Sequence, residues 1–274
     1  MSLVPLVTIV IPSFNEAPEI VRASLESIRA QTFKDFECIV VDESTLPELA
    51  EFCRALCAED HRFIYMHPTE RLGLPKSLNL AISKARGQLI ARFDSDDICM
   101  PKRIELQVTF LGVHPEISAV GGAMEIISNE GKFIGYRSYP QTSKEIAKAM
   151  QLTNAIAHPT VMFRKSVIDL AGGYNPCYRY CEDLDLWLRW INAGLIIGNL
   201  PEVLVQYRQD NSRRDNLNWR YNLRVRLANF KPQYFIRRII GIFCIAVWVT
   251  LPCWLQEKIY KLILFSGRNQ GIDK

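Results

Sequence analysis

Apolar residues in the first hundred positions fall into short β-branched runs separated by stretches with helical spacing. Leu6–Pro12 reads Leu-Val-Thr-Ile-Val-Ile-Pro, the pattern of a strand buried on both faces. Ser13–Glu16 reads as a turn, and Pro18–Gln31 sets Ile20, Leu25 and Ile28 on one helical face. Phe36–Val41 is a second strand that stops at Asp42. Helices are predicted over Pro47–Cys57 and Leu74–Ala85, with a strand at Phe63–Met66 between them. Leu89–Phe93 is a strand running straight into Asp94-Ser95-Asp96-Asp97. Such alternation predicts a parallel sheet with helices on both faces, and ligands then gather beyond the carboxyl ends of the strands. Asn15, Glu16, Asp42 and the 94–97 carboxylates all fall at such ends.

The pattern changes after residue 100. Pro101–Leu111 reads as a helix, and Ser118–Ser128 and Lys132–Tyr139 as strands joined by an Asn129-Glu130-Gly131 turn. Ser143–Gln151 is amphipathic, Thr160–Phe163 is a strand, and Glu182–Asn192 is a helix that Gly194 terminates. Ile196–Tyr207 adds one or two short strands. The expectation is one α/β domain over residues 1–207, its two halves meeting near residue 115.

Composition excludes disorder, collagen and coiled coil, because 49% of the 274 residues are hydrophobic and 23% charged. The net charge of +4 hides an asymmetry. Residues 208–238 carry nine Lys/Arg against two Asp, a net of +7. The stretch 239–274 carries +2 and the body 1–207 carries −5. Directly after the basic band, Ile239–Gln256 runs eighteen residues without a charge. A basic segment beside an apolar one predicts a membrane surface, with 208–238 as a juxtamembrane linker and 239–274 as membrane-associated helices that either cross or lie in the bilayer. Trp248, Trp254 and Tyr260 are of the types that prefer the headgroup boundary. No nucleic-acid module surrounds the basic band, so nucleic acid is not expected as a partner. The eight cysteines find no signal peptide before them and no zinc-type spacing, since Cys53/Cys57 and Cys177/Cys181 lack partner pairs. Free thiols in a reducing cytosol are expected.

The 94–97 string carries the strongest chemistry. Three carboxylates within four residues repel one another unless a cation neutralises them, and hard Mg²⁺ or Mn²⁺ binds such groups together with substrate phosphates. The plain alternative is a turn that caps the helix starting near Pro101. Arg71, Lys76 and Arg92 are candidates to neutralise phosphate, or to form ordinary salt bridges.

The pieces VTIVIPSFNE (7–16), CIVVDES (38–44), RLGLPKSLNLAI (71–82), GQLIARFDSDDICMPKRIELQ (87–107), HPTVMFRKSV (158–167), GGY (172–174) and EDLDLWLR (182–189) occur in one order. In them, over roughly residues 5–208, the chain resembles the family 2 glycosyltransferases, inverting enzymes with the GT-A fold. The resemblance implies a Rossmann-like mixed sheet flanked by helices, with a nucleotide-sugar half at about 1–115 and an acceptor half at about 116–207. It implies that Pro12, Phe14 and Glu16 line the pocket for base and ribose, that Asp42 bonds the base, and that Asp94 meets the ribose. Asp96 would hold Mn²⁺ or Mg²⁺ at the diphosphate, and Asp183 would be the catalytic base. His158, Glu182 and Arg213 are candidate acceptor or phosphate contacts. Each has a plainer reading: Phe14 as core, Asp42 as a turn residue, and Glu182 and Asp183 as helix N-terminal charges.

Two departures stand out. Asp42-Glu43-Ser44-Thr45 replaces the frequent Asp-Asp-Gly-Ser, and no His follows Tyr207-Arg208. Leu186-Trp187-Leu188-Arg189-Trp190 only mimics the Gln-x-x-Arg-Trp string of processive members, so transfer of one sugar per acceptor is expected. The implied donor is a UDP-linked sugar and the acceptor a lipid-linked saccharide, at the cytoplasmic face of the plasma membrane. The competing classes are a nucleotidyltransferase, which would need a glycine-rich loop where Ser13-Phe14-Asn15-Glu16-Ala17-Pro18 has no glycine, and a silent membrane-bound binding module.

Overall fold

Parallel strand pairing and proline-started helices build the first half. In the computed structural model, which describes residues 4–209, 216–252 and 255–256, these are β1 (Val7–Ser13), α1 (Pro18–Arg29), β2 (Phe36–Asp42), α2 (Pro47–Ala58), β3 (Phe63–Met66), α3 (Leu74–Lys84) and β4 (Leu89–Arg92). Pro18, Pro47 and Pro75 each sit in the first turn of a helix, where a missing N–H costs nothing. The second half follows as β5 (Ile98–Cys99), α4 (Arg103–Val113), β6 (Ile117–Ile127), β7 (Phe133–Arg137), α5 (Ser143–Ala149), β8 (Met162–Arg164) and α6 (Val167–Ala171). It ends with α7 (Glu182–Asn192), β9 (Ile196–Arg208), α8 (Asn216–Ala228) and α9 (Phe235–Thr250).

The strands form one mixed sheet in the order β3-β2-β1-β4-β8-β6-β9-β5, with β7 on the far end of β6. The expected parallel pairing holds from β3 to β4. It then changes sense, because β8 runs antiparallel to both β4 and β6. Alternate side chains bury opposite faces, as a period of two requires. Ile9, Ile11, Cys38 and Val40 meet Leu25, Ile28, Leu56 and Ile104 on one side. Val10, Ile39, Val41 and Ile90 meet Leu78, Ile82, Trp187 and Trp190 on the other. No disulfide joins the described cysteines to one another.

Three regions differ from their sequence expectation. Ile196–Arg208 is a single long strand whose register against β6 shifts near Gly122 and Ala123, and these irregularities let it bend without ending. Pro159 turns His158–Thr160 into a short 3-10 helix, delaying β8 to Met162. The basic band, read as a linker, contains α8 packed on the body. Val225 is fully buried, Arg226 donates to the carbonyls of Met150 and Gln151, and Asn229 donates to Asp185. Arg213 and the tail beyond Gln256, with Tyr260, lie outside the described residues, as does Trp254. Among the described residues no helix is long and apolar enough to cross a membrane.

Candidate active site

Parallel register brings the polar strand ends to one edge of the sheet. Ser13 at the end of β1 pairs with Asp42 at the end of β2, and β4 delivers Asp94, Asp96 and Asp97 beside them. Asp42 is completely buried, with Oδ1 accepting from the Ser44 amide (3.0 Å) and hydroxyl (2.6 Å) and Oδ2 from the Tyr65 hydroxyl (2.9 Å). A nucleobase N–H would share oxygens that already have protein donors. Pro12 is half-buried in β1, and Phe14 follows it with the Arg71 guanidinium 3.7 Å above its ring. That cation–π pair forms a flat wall at the mouth of the cleft, the kind of surface a base can stack on. Lys76 lines a shallow groove of about 590 Å³ beside α3 with Thr69, Glu70, Leu72 and Asn79.

Glu43 builds the frame for this wall. Its Oε2 accepts from the amides of Leu72 (2.6 Å) and Gly73 (2.8 Å), and its Oε1 from the Ser77 hydroxyl. Two of these donors lie in the segment that leads into α3 and the third in its opening turns, so Glu43 ties the start of that helix to another strand end. Gly73 takes φ of +78°, a conformation that favours glycine, and so turns the chain into the helix. On the other side Asn15 (φ 52°) exchanges hydrogen bonds with Thr45, locking the loops after β1 and β2 together.

The acidic cluster is crowded. One ligand oxygen from each of Asp94, Asp96 and Asp97 lies within 4.8 Å of the others. Burial, then Asp94, pushes Asp96 up to about 6, and burial with both neighbours pushes Asp97 well above the carboxylate range. Glu16 rises to about 7 through burial and then through Asp96 and Asp94. Two guanidinium groups face these carboxylates. Arg92, completely buried, pairs with Asp94; burial opposes its charge, but Asp94 and Tyr174 outweigh that and hold it protonated. Arg208 donates its amide to Asp97 Oδ1 (2.8 Å) and its Nε to the Asp96 carbonyl (2.9 Å). Asp97 Oδ2 is buried with no hydrogen-bond partner. A compact carboxylate set with an orphaned buried oxygen and surplus negative charge fits a hard divalent cation.

Asp183 stands in the first turn of α7. Its Oδ2 accepts from the Asn154 amide at 2.6 Å and its Oδ1 from the Leu184 amide at 2.7 Å. Beside it Glu182 is buried, and burial, then Asp183, pushes it up to about 8. His158 lies between this pair and Arg92. Its Nδ1 is 3.9 Å from Glu182, its Nε2 is 2.7 Å from the Tyr174 hydroxyl, and burial, then Arg92, keeps it neutral. A charge-coupled set thus joins Asp94, Arg92, His158, Glu182 and Asp183. The Gly172-Gly173-Tyr174 segment secures it, since Tyr174 N and O both bond Asn79 on α3 and a Cβ on Gly173 would collide with that side chain.

Sequence reasoning passed over Glu43, Asn154, Tyr174 and Arg103. Arg103 is a fully buried charge whose Nη2 holds the Arg92 carbonyl at 2.6 Å. Glu43, Arg103 and Tyr174 lie within the strings that carry the resemblance, but Asn154 does not.

Comparison with known proteins follows from this geometry. Residues 8–170 match the model of the family described as "Glycosyl transferase family 2". The chain is 31% identical over 256 residues to the amylovoran biosynthesis glycosyltransferase AmsE of Erwinia amylovora, covering 90% of this chain and 94% of that one. It is 34% identical over 209 residues to the O-antigen biosynthesis glycosyltransferase WbnJ of Escherichia coli, covering 74% and 79%. Among solved structures, S. aureus TarS (residues 1–349) in complex with UDP-GlcNAc superposes with a TM-score of 0.61 at 16% identity, over 81% of this chain and 65% of that one. At that identity the likeness is one of fold.

Proposed function

The chain belongs to glycosyl transferase family 2 and is a glycosyltransferase, and we propose that it is an inverting, metal-dependent enzyme that moves one sugar from a UDP-sugar to a lipid-linked saccharide. The polysaccharide-biosynthesis roles of AmsE and WbnJ support a place in cell-surface polysaccharide assembly, at the cytoplasmic face where nucleotide sugars are made. The UDP-GlcNAc bound by the TarS fold supports a uridine diphosphate donor.

One observation carries the reading: a half-buried carboxylate, Asp183, held by Asn154 and standing beside Glu182, on which both Arg92 and Asp94 of the acidic cluster act. In this reading Phe14 and Arg71 stack the base and Asp42 adds an acceptor for it. Glu16 and Asp94 border the ribose, and Asp96 with its neighbours holds Mn²⁺ or Mg²⁺. When bound, that cation supplies positive charge to the leaving diphosphate. Asp183 accepts the proton of the acceptor hydroxyl as its oxygen bonds to the anomeric carbon and the bond to the diphosphate oxygen breaks. A single in-line displacement inverts the centre. Leu186, Trp187, Leu188 and Trp190 are core residues, each at most 1% exposed, which supports transfer of one sugar rather than a processive acceptor channel.

The test is a panel of UDP-sugars with a saccharide acceptor, read by UDP release and by the anomeric configuration of the product. Turnover with an inverted product, abolished by chelator, restored by Mn²⁺ or Mg²⁺ and weakened by Asp96→Asn, is expected. Full turnover in excess chelator overturns the metal requirement, and a retained configuration overturns the displacement.

A further inference from the structure

Helix α9 is built inside out. Toward the protein it turns Arg238, Gly241 and Ile245. Arg238 is tied by three donors to the Asn229 carbonyl (2.5 Å), Asn192 Oδ1 (2.7 Å) and the Gln233 carbonyl (2.9 Å). Toward the outside it turns Phe235, Ile236, Ile239, Ile240, Phe243 and Val247, all substantially exposed, with Ile236 at 73% and Phe243 at 67%. A helix on the surface of a water-soluble body carries the opposite arrangement. The stripe is continuous, and large exposed apolar stripes mark interaction surfaces.

Charge identifies the occupant. Residues 216–252 contain six Lys/Arg and no Asp or Glu. Arg226 and Arg238 are spent on internal carbonyls, while Arg220, Arg224 and Lys231 are exposed. Lys231 stands in the α8–α9 connection next to Phe230, whose ring packs on Phe235 at 5.9 Å. An apolar stripe beside uncompensated positive charge complements acyl chains beneath anionic headgroups. The helix cannot leave the body to cross the bilayer. Gly241 lies so close to the Gln151 carbonyl that a Cβ would overlap it, Arg238 anchors the first turn, and sixteen residues reach only ~24 Å against a ~30 Å hydrocarbon core.

We propose that α9 docks this enzyme in the plane of an anionic bilayer surface through the Ile236–Val247 stripe, the α8–α9 connection supplying the headgroup contacts. The inference rests on the lipid-linked acceptor reading only for the choice of leaflet. It also orients the site, because Arg226 and Gly241 both pack on the Gln151 carbonyl, three residues before the Asn154 that holds Asp183. The base side of the cleft therefore sits toward the lipid.

The test is cosedimentation of the full-length protein with vesicles of phosphatidylcholine alone or with phosphatidylglycerol added, alongside UDP release on a soluble acceptor. Preference for the anionic vesicles, reduced by salt, is expected. Ile240→Glu and Phe243→Glu should each lower partitioning about tenfold, the scale of losing one buried large apolar side chain, and leave soluble turnover unchanged. Leu170→Glu, at an exposed leucine on α6, serves as the control that changes nothing. Wild-type binding by the α9 variants, or no vesicle binding by the native chain, overturns the proposal. Conversion of a dimer to a monomer by Phe243→Glu without vesicles also overturns it, by assigning the stripe to a second copy. Vesicle binding without turnover on any donor would sink the enzymatic reading and leave the docking intact.

Discussion

Asp183 accepts from two donors, the Asn154 side chain and the Leu184 amide, at the start of α7, so its substitution separates chemistry from binding. Asp183→Asn keeps the size and removes the proton acceptor; turnover should fall by at least ~10²-fold with little change in donor KM, measured by UDP release. Loss of donor affinity with turnover preserved would show that Asp183 was given the wrong role. Asp94, Asp96 and Asp97 announced themselves in the sequence through position, by following an apolar run, whereas Asp183 stood out only through the resemblance to family 2 glycosyltransferases. Those that stayed hidden take their meaning from partners far along the chain. Asn154 meets Asp183 across 29 residues, Glu43 meets Leu72 across 29, and Arg208 meets Asp97 across 111. No local pattern encodes such a pairing.

Elements were legible where they bury an apolar stripe and illegible where they do not. The alternation from β1 to β4 follows from runs too apolar to be anything else. By contrast β5 is two residues long, set by its pairing with β9, and α8 buries Val225 and Arg226 rather than a row of leucines. Its polar sequence reads as a linker for that reason. At this scale Glu43 makes a distinct prediction, since it fastens a strand end to the start of α3. Glu43→Ala leaves the Leu72 and Gly73 amides and the Ser77 hydroxyl without their acceptor, a loss of about 1–3 kcal/mol. Calorimetry should record a drop of about 2–4 °C in Tm per kcal/mol lost. Donor KM should rise as well, because Arg71 directly precedes the fastened residues. A lower Tm with unchanged KM would show that the Phe14–Arg71 wall holds its shape without that tie.

For the molecule as a whole, buried titrating groups set the pH range of stability. His158 is neutral in the fold, its pKa held below the ordinary 6.5 by burial and then by Arg92. The unfolded chain takes up a proton there near pH 6.5 that the native pocket refuses, so this contribution is complete above pH 6.5 and is lost as the pH falls below it. Urea midpoints between pH 7.5 and pH 5.5 should decline more steeply for the native protein than for His158→Gln; equal slopes would place the sensitivity elsewhere. The sheet order has a consequence of another kind, for the time at which the enzyme comes into being. The donor-side strands and the carboxylates after β4 occupy the first hundred residues, yet β4 gains its outer neighbour only at Met162–Arg164. Asp97 receives the Arg208 amide 111 residues after its own synthesis. The ribosome releases these pieces in order. A nascent chain thus carries an open β4 edge until Met162 emerges, and an Asp97 without its Arg208 donor until 111 residues after that carboxylate. The last strand to emerge closes the centre, so a chain stopped short of Arg208 holds every carboxylate of the acidic cluster and none of its finished geometry.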